Sequence, residues 1–132
     1  MKPNQYGKVV FLESASVKQP IDNLTLSNSL RMAIVGLSKS LSKEYLNYGI
    51  RFNVIAPGYH KTSAVNRLVK KRAENEAISE QEALQRIENS LPLKTMGLAE
   101  DFASLTVWLL SPLSDYVTGQ VYAVDGGFIA SN

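Results

Sequence analysis

The 132-residue sequence has no cysteine and a single histidine, His60. The first absence excludes disulfides and thiolate chemistry. Together they leave a zinc or iron ion without its usual ligands, and nothing suggests an all-carboxylate shell, so no metal is expected. No apolar run approaches about 18 residues, and the opening Met1-Lys2-Pro3-Asn4-Gln5 is polar. Neither a signal peptide nor a membrane span is expected, and a cytoplasmic location follows by default. No charge of one sign dominates either. Fourteen basic residues stand against twelve acidic ones, a formal +2 spread along the chain, which lacks the footprint of a nucleic-acid binder. The densest basic run, Lys70-Lys71-Arg72, reads as a solvated helix face. Internal repeats, low-complexity tracts and domain linkers are also missing.

What is present fits one ordinary domain: 45% hydrophobic and 20% charged residues, enough for a real core. Val9-Val10-Phe11-Leu12 is a continuous apolar run, the pattern of a strand buried on both faces of a parallel sheet. From about Leu24 to Tyr48 there is no proline. Leu30, Ile34, Leu37, Leu41 and Tyr45 recur there at helical spacing, with Met32 and Val35 as a second patch, so the spacing predicts a long helix that buries two faces. Gly36 between those faces costs about 1 kcal/mol relative to alanine, which suggests close packing against a neighbour. Tyr48-Gly49 closes the helix, and Ile50 to Ile55 reads as a second strand ending at Ala56-Pro57-Gly58. Strand, helix, strand in this order makes a crossover with parallel strands, hence an α/β fold.

Beyond it, residues 63 to 76 read as a polar helix. Ser79-Glu80-Gln81-Glu82 is a capping box opening a helix toward Ser90, stopped by Pro92. A further helix from about Ala99 to Leu110 places Phe102, Leu105, Trp108 and Leu109 at core spacing before Ser111-Pro112 ends it. A last strand runs from Gln120 to Val124, ahead of Asp125-Gly126-Gly127.

Four segments, in this order and spacing, resemble the second half of the classical short-chain dehydrogenase/reductase family. They are Gly7-Lys8-Val9-Val10-Phe11-Leu12-Glu13-Ser14-Ala15-Ser16, Val35-Gly36-Leu37-Ser38-Lys39-Ser40-Leu41, Gly49 through Gly58 (GIRFNVIAPG), and Gly119 through Gly127 (GQVYAVDGG). The likeness covers essentially the whole chain. It implies the C-terminal half of a doubly wound, Rossmann-like parallel sheet in the order 3-2-1-4-5-6-7, with strands five to seven and their flanking helices supplied here. Residues 1–132 then form a single partial domain without the N-terminal cofactor-binding half. A truncated product, a start-site error or one piece of a split protein would each give such a chain. The implied cofactor is NAD or NADP. The glycine-rich turn that lays its pyrophosphate on a helix N-terminus has no counterpart in the sequence, and residues 1–132 by themselves are expected not to hold it with useful affinity.

The resemblance also implies a serine, a tyrosine and a lysine acting on a small-molecule carbonyl or alcohol, the last two spaced Tyr-x-x-x-Lys. Counting back nine positions from Gly36 gives Ser27 where the family has tyrosine, and Arg31 follows where it has lysine. Thirteen positions before Ser27 stands Ser14, matching the family's serine. A serine hydroxyl is a far weaker acid than a phenol, whose pKa is about 10. Arg31 can donate to a ribose hydroxyl but cannot join a proton relay by deprotonating. A subgroup resembling 3-oxoacyl carrier-protein reductases is similar in carrying Ser-Asn here, as at Ser27-Asn28.

Pro57, Gly58 and Thr62 resemble the segment whose backbone and threonine contact the nicotinamide carboxamide. Tyr59 and His60 in the same loop are candidate substitute acids, and their plainer reading is two surface loop residues. The plainer reading of Ser14 is a strand-ending residue bonded locally to backbone. Two functions stay open: an NAD(P)-dependent oxidoreductase, inactive as residues 1–132 alone, or a non-catalytic oligomerisation or interaction module. Partners are a homo-oligomer or the N-terminal half, with no nucleic acid and no membrane.

Overall fold

The computed structural model describes residues 1–130. Three strands, β1 (Gly7–Leu12), β2 (Ile50–Pro57) and β3 (Val121–Val124), form one parallel sheet in that order. Between β1 and β2 runs α1 (Thr25–Glu44), followed by a 3-10 turn at Leu46–Tyr48. Gly49 closes that turn at φ 65°, where a Cβ would stand 2.0 Å from the Gln5 carbonyl oxygen, so only glycine fits. Helices α2 (Ser63–Glu76), α3 (Glu80–Ser90) and α4 (Ala99–Leu110) connect β2 to β3. The sheet order and parallel pairing are those of the α/β fold expected for strands five to seven.

The central strand carries the core. Val54, Ile55 and Ala56 on β2 are almost completely buried, as is Leu109 on α4. A second apolar cluster joins α2 to α3 through Val69, Ala73, Ala83 and Ile87. Above it Glu76 accepts from Arg72 at 2.6 Å and from Arg86 at 2.8 Å, and the hydrogen bond from Arg72 lowers its carboxyl below the usual carboxylate range. The Ser79 hydroxyl accepts from the Glu82 N–H at 3.1 Å, but the Glu82 carboxylate turns to Arg86 at 2.7 Å. Only one arm of the expected capping box forms, because a charged partner is available four residues on.

Asn53 ties β2 to the segment entering β3. Its amide donates to the Val117 carbonyl at 3.1 Å and its oxygen accepts from the Gln120 N–H at 3.1 Å, all in a side chain 1% exposed. Replacing Asn53 with alanine should orphan both backbone groups, at about 1–3 kcal/mol each. A fall in the denaturant midpoint, with β3 amides exchanging first, is the expected readout.

Four expectations are corrected. β1 pairs only with β2 among the described residues, so Val9, Val10 and Phe11 are half-buried and Leu12 is exposed. α1 buries one face rather than two. Its buried residues are Ser38 and Ser42, with Ile34, Leu41 and Tyr45 half-buried, while Leu30 is 61% exposed and Leu37 and Met32 are also outside. Small serines let the helix approach β2 closely, which turns the bulkier leucines away. Finally, a Cβ built on Gly36 meets nothing within 4 Å, so no neighbour within the described residues packs on it. Similarly, Trp108 on α4 stands at the surface, while Phe102 and Leu105 are half-buried. Among the described residues no helix is long and apolar enough to cross a membrane.

Candidate active site

Parallel strands end on a common side, and the chain leaving β1 and β2 there encloses a cleft of about 570 Å³. β1 supplies Leu12 and, just past its end, Glu13 and Ser14; β2 supplies Pro57 and, just past its end, Gly58. Arg31 enters from the second turn of α1, and His60 and Thr62 from the loop before α2. The rest of the lining is apolar, from the starts of α2 and α4, with Val65 and Phe102 the largest groups.

Ser14 has an extended backbone, and its hydroxyl oxygen accepts from the Ser16 N–H at 3.2 Å, capping the 3-10 turn Ala15–Val17. That is the local backbone bond of the plainer reading, yet a hydroxyl that accepts still has its own O–H to donate into the cleft. Ser27 and Arg31 are one helical turn apart. The Arg31 Nε–H donates to the Ser27 hydroxyl oxygen at 3.2 Å, and Nη1 donates to Glu13 Oε2 at 3.1 Å. The Glu13 side chain is 9% exposed and that of Arg31 39%. Ser27 reaches the site through Arg31 and does not itself line the cleft.

The loop residues separate. Tyr59 turns to a neighbouring cavity of about 360 Å³ and packs edge-on against Phe128, with centroids 5.5 Å apart. His60 lies between the two spaces and lines both. It is 7% exposed, with Nδ1 3.3 Å from the Gly58 carbonyl oxygen and the ring tilted against Phe102 at 6.0 Å. A Cβ on Gly97 would stand 2.8 Å from His60 Cδ2, so glycine permits this close approach. Neither residue is the surface loop side chain of the plainer reading: one is half-buried, the other buried. Thr62 is exposed at the N-cap of α2, and its side chain makes no cap hydrogen bond.

The site therefore gathers Ser14, Arg31, Pro57, Gly58, His60 and Thr62, links Ser27 through Arg31, and sends Tyr59 elsewhere. Sequence reasoning missed Glu13. It is an acid at the end of an apolar strand, immediately before Ser14, and only its pairing with Arg31 marks it. Among the described residues no group of His, Cys, Asp and Glu side chains could hold a metal ion.

A family model described as enoyl-(acyl carrier protein) reductase matches residues 1–129. The NADPH-dependent reductase BacG of Bacillus subtilis is 30% identical over 131 residues, which are 99% of this chain and 51% of that protein. A 3-oxoacyl-[acyl-carrier-protein] reductase of Buchnera aphidicola is 33% identical, over 96% of this chain and 47% of its own length. Among solved structures, a short chain dehydrogenase family protein from Francisella tularensis superposes with a TM-score of 0.89 at 31% identity, covering 94% of this chain and 51% of that one. L-sorbose reductase from Gluconobacter frateurii gives 0.92 at 26% identity, over all of this chain and 51% of that one. The chain thus spans about half the length of the relatives it matches.

Proposed function

Since the chain belongs to the classical short-chain dehydrogenase/reductase family, we propose that it forms the substrate and nicotinamide side of an NAD- or NADP-dependent oxidoreductase acting on a small carbonyl or alcohol. The observation that carries this is the shared cleft at the strand ends, which gathers Ser14, Arg31, Gly58 and Thr62 in a volume suited to a small ligand. Its polar groups fit a nicotinamide riboside. Arg31 is a fixed cation with open guanidinium surface, and the Thr62 hydroxyl is free of any capping bond. When bound, the nicotinamide supplies or takes up the hydride.

The chain's own residues then divide the remaining work. Arg31, steered by Ser27 and Glu13, donates to ribose hydroxyls. Thr62 and the backbone at Pro57 and Gly58 face the carboxamide. Ser14 donates its O–H to the substrate oxygen and orients it. Of the two loop candidates, His60 lines the cleft and Tyr59 does not. The reductases this chain resembles support the reading.

The test is to join residues 1–132 to a cofactor-binding half, giving the intact protein, titrate it with NADPH and NADH, and then follow nicotinamide absorbance over a panel of small ketones and alcohols. Saturable binding with turnover on at least one substrate is expected. Failure of both binding and turnover would overturn the oxidoreductase reading and leave the interaction module.

A further inference from the structure

The cleft contains a carboxylate that the serine, tyrosine and lysine of the family do not account for. We propose that Glu13 is the proton acceptor of this site in alcohol oxidation; the proposal rests on the oxidoreductase reading above. Its backbone is fixed by the sheet, since the Glu13 N–H donates to the Ile55 carbonyl at 2.8 Å. Its side chain lines the cleft beside Ser14. Oε2 is held by Arg31 at 3.1 Å. Oε1 accepts no hydrogen bond among the described residues and is not sealed from solvent, so one oxygen is anchored and the other open. An anchored carboxylate with a free oxygen is a positioned general base.

No other polar group in the cleft is as well suited. Arg31 is cationic and cannot accept a proton. Ser14 and Thr62 carry hydroxyls, which are weak bases. His60 holds Nδ1 against the Gly58 carbonyl oxygen and packs its Nε2 edge on Gly97, with its ring buried against Phe102. The titratable or charged groups facing the cleft with Glu13 are Arg31 from α1 and His60 from the loop after β2. α2 and α4 add only Ala64, Val65, Ala99 and Phe102.

In the step assigned to Glu13 the substrate O–H bond breaks and its proton passes to Oε1. The C–H bonding pair leaves as hydride for the oxidised nicotinamide, and a C=O bond forms. The alcohol is oxidised, the nicotinamide is reduced, and the proton leaves the carboxyl for solvent through the cleft mouth.

The experiment compares Glu13→Gln and Glu13→Asp with the native intact protein. Glu13→Gln should lower kcat for alcohol oxidation about a hundredfold or more, with KM for the oxidised cofactor changed less than about threefold, and should remove the acid limb of the pH–rate profile. Glu13→Asp should keep that limb and part of the rate. Independently of turnover, the Glu13 side-chain carboxyl carbon resonance should shift when NADP+ or NAD+ is added to the native protein. If Glu13→Gln fails to fold, Glu13→Asp and the resonance decide. A native kcat with an intact acid limb in Glu13→Gln overturns the proposal alone. A raised KM with native kcat does so too, by reducing Glu13 to a support for Arg31. An unmoved resonance also overturns it. Absence of hydride transfer from every alcohol in the native protein overturns the oxidoreductase reading, and the proposal with it.

Discussion

Combining Ser27→Tyr with Arg31→Lys is expected to raise carbonyl reduction by about a hundredfold to ten-thousandfold, the usual contribution of a positioned proton-transfer group. Reduction leaves negative charge on the substrate oxygen, which must be quenched by a proton. In the native site Ser27 is a poor acid, and its oxygen already accepts from the Arg31 Nε–H at 3.2 Å. It also stops short of the cleft. A phenol at the same helical position projects several Å farther and ionises near pH 10. A lysine one turn on keeps the cation that pairs with Glu13 and restores the partner the phenol needs. Ser27→Tyr alone should give a smaller gain, because the planar guanidinium holds its neighbours in a different geometry. The measurement is kcat for reduction of one small ketone by the intact protein and by each variant. A double variant no faster than the native protein, with His60→Ala abolishing the native rate, would make the loop histidine the acid and refute the role given to the helix positions.

Much of the fold was legible because its signals are local. Gly49 at a left-handed position, proline at the end of α3 and the apolar run of β2 each mark a boundary by backbone chemistry, and α2, α3 and α4 fall where caps and periodicity place them. The phase of α1 was not legible, since it carries more apolar residues than one face can bury and the sheet selected Ser38 and Ser42 for contact. Periodicity finds a helix but cannot say which of two apolar stripes meets the sheet. The site shows the same division. Ser14, Ser27 and Arg31 were named from the family resemblance by counting from Gly36, and the structure joins Arg31 to Ser27 directly. Glu13 was hidden because a carboxylate at a strand end is ordinarily a solvated residue; only the path of the Arg31 side chain back across the cleft gives it a partner. Tyr59 and His60, adjacent in sequence, could not be ranked until the loop sent one to each side.

The 132-residue chain alone is expected to assemble beyond its 14.5 kDa mass at micromolar concentration. Two of its surfaces are open and apolar. The first is the free edge of β1, where Val9, Val10 and Phe11 are half-buried and the exposed Leu12 follows, with no charge inside the run to blunt pairing. The second is the exposed surface of α1, where Leu26, Leu30 and Leu37 share one face and Met32 stands in solvent on the side of Gly36. Burying on the order of several hundred Å² of such surface at roughly 25 cal/mol per Å² contributes many kcal/mol before the cost of association is subtracted. A closed, two-fold arrangement satisfies both copies of a surface at once and so limits growth, whereas the β1 edge, if it pairs head to tail, does not. Light scattering behind size exclusion separates these outcomes. A sharp oligomer that Met32→Glu with Leu30→Glu dissociates places the contact on α1, and one that resists those charges but yields to Val10→Lys places it on the β1 edge. A sharp, folded species of single-chain mass would show that neither surface drives assembly.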